Sequence, residues 1–188
     1  MDRAALACVS VAFLAPLLLG QTKPNITERV FRSPGSGRAE ILQLGETGES
    51  RVEFYSSGGD HLCSADYSSA DGTHGLVVAK AEWTPDKRYF VFSMQSSSGH
   101  QPWHAPTSFY TSDDHMLCSL DDFLDPPGIA TTDFTLAAPN QITTVIYGKQ
   151  MPASTPLDRI TKTGTRNGKP RCVPCENSAV YRFGETSK

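Results

Sequence analysis

No segment of this 188-residue chain carries apolar residues at helical spacing over a useful length. That argues against a helical bundle or an alternating α/β architecture. Beyond residue 20 no second long apolar run occurs, so the remainder holds no stretch of the roughly 20 apolar residues that a membrane-crossing helix needs. Strong charge of one sign is missing as well: 17 Lys and Arg stand against 20 Asp and Glu, a net charge of −3. A slightly acidic chain has no electrostatic footprint for nucleic acid and no strong attraction to an anionic membrane. There is no Gly-x-Ser-x-Gly elbow, no His-Glu-x-x-His helix and no phosphate-binding glycine loop. None of the familiar catalytic motifs therefore names a reaction, and no residue pattern identifies a cofactor.

What is present begins with an export signal. Arg3 gives a weak positive start, blunted by Asp2, and an apolar run extends from Ala4 to Leu19, interrupted by Ser10 and Pro16. Gly20 is a small residue suited to the position before a cut, with Gln21 as the new N-terminus. Cys8 lies inside the run, which disfavours a lipoprotein-type cut before it. Residues 1–20 are thus expected to be a signal peptide and the product to be secreted or periplasmic. The remaining 168 of 188 residues suffice for one domain with a real core. Residues 21–38 read as an irregular, polar lead-in and 39–188 as a single β-rich domain. Asn25-Ile26-Thr27 matches a glycosylation acceptor, which matters if the source is eukaryotic. The basic run Arg159, Lys162, Arg166, Lys169 and Arg171, within 159–171, reads as a solvated segment.

Removing Cys8 leaves Cys63, Cys118, Cys172 and Cys175. An even number in an exported chain suggests disulfides, with three possible connectivities. Cys172-Val173-Pro174-Cys175 is short enough to close on itself, which would leave Cys63 to pair with Cys118. A thioredoxin-like use of this Cys-x-x-Cys is disfavoured, because residues 176–183 alternate like a strand and no βαβ pattern surrounds the motif.

The rest reads as short strands and turns. Strands are expected at Ala39–Leu44, Arg51–Tyr55, His61–Asp66, Leu76–Trp83, Tyr89–Gln95, Thr107–Thr111, Met116–Leu120, Phe134–Ala137, Gln141–Tyr147 and Ala179–Phe183, punctuated by Gly, Ser, Asn, Asp and Pro. One short helical turn is expected at Ser119–Leu124, with Ser119 as cap and Asp121-Asp122 in its first turn. The fold class is therefore all-β: an antiparallel meander forming a sandwich or propeller-like twisted sheets, with little helix. In Leu76–Trp83 the alternation puts Val77, Ala79, Ala81 and Trp83 on the core face. The strand from Tyr89 to Met94 is apolar on both sides, so it is expected to be covered on two faces.

The hairpin joining them carries the one family likeness. Trp83-Thr84-Pro85-Asp86 followed by Arg88-Tyr89-Phe90-Val91-Phe92-Ser93 resembles the Trp-Ser-Pro-Asp-Gly repeat of TolB-like β-propellers, over about eleven residues. The resemblance implies a twisted antiparallel hairpin, and TolB-like domains often sit in the bacterial periplasm and bind other proteins. Lys87 stands where the repeat usually has Gly.

The chemically densest segment is Gly99-His100-Gln101-Pro102-Trp103-His104-Ala105-Pro106, with Asp113, Asp114 and His115 nearby in sequence. Pro102 and Pro106 limit the entropy of this loop, so Trp103 and His104 can be presented at low ordering cost. His100, Trp103, His104, Asp113, Asp114 and His115 are accordingly the candidate binding residues. The acids Asp113, Asp114, Asp121, Asp122, Asp125 and Asp133 fit no EF-hand spacing and read as a solvated edge. Two functions remain: an exported β-rich binding or interaction module for a protein or small ligand, or a small extracytoplasmic metal-assisted enzyme using His100, His104 and His115. Mass spectrometry of the exported protein is expected to find Gln21 at its N-terminus; finding Met1 or Asp2 there would overturn the export reading.

Overall fold

The computed structural model describes residues 26–35, 37–99, 103–124 and 128–146, and toward the C-terminus 149–150, 155–157, 165–166, 169–170 and 172–175. The strand candidate Ala179–Phe183, the signal segment and Asn25 lie outside these residues. A first sheet runs up and down through β1 (Thr27–Ser33), β2 (Gly37–Leu44), β3 (Glu49–Tyr55) and β4 (His61–Asp66). A second repeats that order in β5 (Leu76–Trp83), β6 (Tyr89–Ser96), β7 (Thr107–Thr111) and β8 (Met116–Ser119). After a 3₁₀ turn at Leu120–Phe123 come β9 (Ile129–Ala137), β10 (Gln141–Ile146), β11 (Lys149–Gln150) and β12 (Thr155–Pro156), which form the third sheet. β13 (Thr165–Arg166) pairs with β14 (Lys169–Pro170), and β15 (Cys172–Pro174) returns to the second sheet beside β8. Every pairing among the described residues is antiparallel. The chain is all-β.

The first sheet alternates in its apolar residues, while β3 also buries Glu49, Ser50 and Glu53 and a bulge interrupts its pairing with β4 between Phe54 and Tyr55. Ala39, Ile41, Val52, Phe54, Cys63 and Ala65 face inward and are buried, while Glu40, Arg51 and Ser64 occupy the opposite parity. The second sheet is the middle layer. Phe90, Phe92 and Met94 of β6 pack against the first sheet, whereas Tyr89 and Val91 join Phe134, Ile142 and Leu157 on the other side. All six residues from Tyr89 to Met94 are buried, as expected for a strand covered on both faces. Burying each large apolar side chain contributes about 1.5–3 kcal/mol.

In β5 the expected core face is corrected. Val78 pairs with Met94 but Lys80 pairs with Ser93, so Ala79 is an extra residue in a β-bulge. A bulge shifts the side-chain parity by one. Leu76 and Val78 are therefore buried before it and Trp83 after it, while Val77 is half-buried and Ala79 exposed. Past the bulge, Lys80 turns to the third sheet, where its Nζ donates to Phe134 O at 2.6 Å.

The Trp83–Ser93 hairpin is stitched by its own polar residues. Thr84 N donates to Tyr89 O, and Tyr89 N donates back to Thr84 Oγ1 at 3.1 Å. Thr84 Oγ1 donates to Asp86 Oδ1 at 2.6 Å, and Asn140 Nδ2 donates to Asp86 Oδ2 at 2.8 Å. Asp86 thus ties this turn to the β9–β10 turn of the third sheet. Lys87 takes the left-handed conformation, φ 64°, that a Gly would adopt freely.

Three further corrections concern the ends and the cystines. Residues 27–33 are not irregular: β1 pairs along its whole length with β2. Its charged residues Glu28, Arg29 and Arg32 suit a sheet edge and hide the alternation that reveals inner strands. The 3₁₀ turn occurs where expected, but Ser119 makes no side-chain cap bond. The disulfides are Cys63–Cys175 and Cys118–Cys172, not Cys172–Cys175 with Cys63–Cys118. The reason is parity: two residues three apart in an extended segment project to opposite faces. Cys172 meets its register partner Cys118 on the face toward the third sheet, while Cys175 reaches Cys63 on the face toward the first. Of the basic run, Arg166 and Lys169 are register partners in the β13–β14 pair; Arg159, Lys162 and Arg171 lie outside the described residues.

The loops closed by these bridges span 112 and 54 residues, worth about 4–5 kcal/mol each by chain entropy. Non-reducing peptide mapping is expected to recover Cys63–Cys175 and Cys118–Cys172 peptides. A linear Cys172–Cys175 loop peptide would overturn the arrangement.

Candidate functional site

At the end of the second sheet where β6 finishes, the strand runs out into residues 97–99, and the chain returns through Trp103, His104 and Ala105 into β7. Together with the start of β9 these segments enclose a cleft of about 480 Å³, lined by Gln95, Ser96, Ser97, His104, Thr131 and Thr132 among others. Its lining combines hydroxyl and amide groups and one titratable side chain with the small residues Gly99, Ala105 and Ala130. Trp103, next in sequence to His104, is 60% exposed. That is unusual for a large aromatic, which normally buries most of its surface.

Buried carboxylates hold the cleft walls. Asp121 arrives from the 3₁₀ turn. Its Oδ1 accepts from His104 Nε2 at 3.1 Å and from Ile129 N at 3.2 Å, and its Oδ2 accepts from Thr107 N at 3.3 Å. One side chain thereby fixes the return loop, the start of β7 and the start of β9. The hydrogen bond to Asp121 raises the His104 pKa, against an opposing effect of burial. The opposite wall rests on Glu49, 1% exposed. Its carboxylate accepts from Ser69 N at 2.7 Å, Gly75 N at 2.6 Å and Ser97 Oγ at 3.1 Å. Burial is the largest single influence and pushes this carboxyl up, but the assembled donors outweigh it and hold the pKa below the usual value. Gly75 is required here, because a Cβ would lie 2.5 Å from Tyr67 O and 2.6 Å from the Glu49 carboxyl carbon.

The six residues expected to form the site do not form one cluster. His104 lines the cleft, Trp103 precedes it in the return loop, and His100 lies outside the described residues. Asp113, Asp114 and His115 sit in the β7–β8 turn, separated from His104 by the length of β7, about 16 Å at the usual rise per residue. There Asp113 pairs with Arg88 at 2.8 Å, and Asp114 accepts from the Thr111 hydroxyl. Burial, and then the charge of Asp114, push the Tyr110 phenol up to about 12, so it stays protonated, and its hydroxyl shares a hydrogen bond with His115 Nδ1 at 2.6 Å. His115 O accepts from Cys175 N at 2.8 Å, which makes His115 part of the clamp on the C-terminal cystine. Among the described residues no three His, Cys, Asp or Glu side chains converge to hold a metal ion.

Sequence reasoning missed two groups. Glu49 and Asp121 gave no signal beyond being acids near turns. On the outward side of the first sheet, His61 Nε2 meets Glu53 Oε2 at 2.6 Å and Ser64 Oγ at 3.1 Å. One ring nitrogen serves both partners, so this is not the relay in which a histidine bridges a carboxylate and a serine through different nitrogens. Register could have found it, since Glu53 and Ser64 are cross-strand partners, but register was not legible before the strands were paired.

No protein-family model, curated protein or solved structure matches the chain.

The His104–Asp121 pair carries a pH signature. A histidine whose folded pKa is raised contributes stability that is fully present below its unfolded value of about 6.5 and is lost as pH rises through the folded value. In urea denaturation, wild type is therefore expected to exceed His104→Gln by more at about pH 5.5 than at about pH 8.5. An equal gap at both would show that the imidazole charge is not coupled to the fold.

Proposed function

We propose that the protein is an exported binding module whose ligand or partner docks at the cleft beside Trp103 and His104. The observation that carries this reading is the 60% exposure of Trp103 next to a polar cleft whose walls are fixed by buried carboxylates. An aromatic ring offers a large apolar face at small entropic cost, and His104 adds a titratable donor or acceptor. Because Asp121 pairs with His104 and the rest of the lining is hydroxyl, amide and small apolar groups, the cleft suits an uncharged ligand with both polar and apolar surface. The two disulfides fit an oxidising compartment, in line with the export signal. The Trp83–Ser93 hairpin, which resembles the repeat of protein-binding TolB-like domains, accords with this reading. It opens a four-strand meander stacked between two other antiparallel sheets.

Trp103→Ala is the deciding variant. With the ring mostly in solvent, its loss is expected to change stability by less than about 1 kcal/mol while removing binding of any ligand or partner recovered from the native milieu. A stability loss of about 3–5 kcal/mol, as for a buried aromatic, would make Trp103 a packing residue and overturn the site.

A further inference from the structure

β1 is the outermost strand of the first sheet. Which of its backbone groups face the open edge follows from hydrogen-bond phase. Tyr67 N donates to Ser50 O at 3.0 Å, so the even-numbered residues of β3 exchange bonds with β4. Bonded and non-bonded pairs alternate along an antiparallel ladder. The odd-numbered residues of β3 therefore bond β2, and by the same alternation Thr27, Arg29, Phe31 and Ser33 bond β2 from its other side. The N–H and C=O groups of Glu28, Val30 and Arg32 point away from the sheet. No partner among the described residues takes them up, and all three residues are exposed.

Sheet edges are normally protected from pairing by bulges, prolines, short length or charge. β1 has seven residues, no Pro and an unbroken register with β2. Its protection is charge, and the order of the charges is self-complementary. Val30 lies midway between Glu28 and Arg32. Laid antiparallel against its own copy about a two-fold axis at Val30, β1 sets Glu28 opposite Arg32 on both sides of the axis and Val30 against Val30. These are the residues with free backbone groups, so each opposed pair exchanges two N–H to O bonds. Sliding the copy by two residues either way sets Val30 opposite a charge and loses both ion pairs.

We propose that β1 is the seam of a symmetric dimer, in which the first sheets of two copies join edge to edge through Glu28, Val30 and Arg32. Two further observations fit this seam. Arg32 faces Arg38 across the β1–β2 ladder, and like charges directly opposite destabilise a sheet. Glu40 engages Arg38 at 2.6 Å, whereas neither Arg32 nor Glu28 makes an ion pair among the described residues. Glu28 of the second copy supplies the charge that Arg32 lacks. Val30 and Ile26 are 41% and 50% exposed, two of the three large hydrophobic residues so exposed among the described residues. In the dimer Val30 packs on its copy, and Ile26 comes against the β1–β2 turn of the second copy, where Pro34 is exposed. A two-fold contact closes on itself and does not grow into a fibre. Its small area calls for a reversible dimer that forms at high protein concentration.

The test is sedimentation equilibrium of the mature protein over a concentration series at low salt. Wild type is expected to show a reversible monomer–dimer equilibrium. Glu28→Arg and Arg32→Glu are each expected to weaken it at least about tenfold, since each turns two ion pairs into two like-charge pairs. Both positions are exposed and both changes leave the bonds within the sheet intact. An equimolar mixture of the two variants is expected to associate again, because each then meets opposite charges, and the double variant Glu28→Arg/Arg32→Glu is expected to dimerise like wild type. Val30→Pro deletes an N–H that serves no bond within the sheet, so it is expected to abolish the dimer with an unchanged circular dichroism spectrum. A protein that stays monomeric up to its solubility limit would overturn the proposal. So would a dimer that the single variants leave unchanged, which would put the seam on another surface, or a mixture that fails to associate.

Discussion

The middle sheet has no wet face, and the rest of the structure depends on that constraint. A strand apolar on both sides cannot stand alone, since each face must be covered to remove it from water. The first sheet covers Phe90, Phe92 and Met94, and the third covers Tyr89, Val91 and Phe109. Polar atoms caught in this layer must pair with one another. Ser93 Oγ and Thr107 Oγ1, both fully buried, do so at 2.7 Å. The Thr84–Asp86–Asn140 chain does the same at the hairpin turn and joins two sheets in doing so. Its polar residues are there because the turn is wedged between layers, where a bare backbone would leave donors unsatisfied.

The cystines extend the same logic to the sheet's edge. β8 would be an open edge strand, a template for unwanted pairing, if β15 did not cover it. Three paired residues are too few to hold a strand against its ordering entropy. The odd spacing of Cys172 and Cys175 sends one sulfur to each side of the middle sheet, so one short segment is bolted to β8 within its own sheet and to β4 of the first. The hydrogen bond from Cys175 N to His115 O, and that between the Tyr110 phenol and His115 Nδ1, fix the turn beside it.

Much of this was legible in the sequence, and the failures have physical causes. The two-faced character of Tyr89–Met94, the turn at Pro85-Asp86 and the boundaries of the inner strands emerged from alternation and turn residues alone. The core face of β5 did not, because the bulge at Ala79 inverts parity midway and leaves no mark in composition. β1 was hidden because an edge strand needs only one apolar anchor, here Phe31, and otherwise carries charge. Within the candidate site, Trp103 and His104 were found through the Pro-bounded loop. Their grouping with His115 came from nearness in sequence, which a strand between two loops converts into distance. Asp121 and Glu49 were invisible because their role depends on donors from segments far apart in the chain, and such convergence is a property of the fold.

Where ligands can bind is set by where the faces are spent. Both faces of the middle sheet and the inner face of the first are committed to packing, so polar chemistry falls to the strand ends and to the exposed residues of the first and third sheets. The two ends differ in charge for local reasons. At the β6–β7 end the acids Asp121 and Glu49 are turned inward to satisfy backbone donors, leaving a neutral rim of hydroxyls around His104. At the β1–β2 end the arginines face each other across the strands, and Glu40 engages Arg38 only. The clefts at the two ends, built on different strands, therefore differ in chemistry: one sets hydroxyls around a carboxylate-held histidine and the other carries arginines.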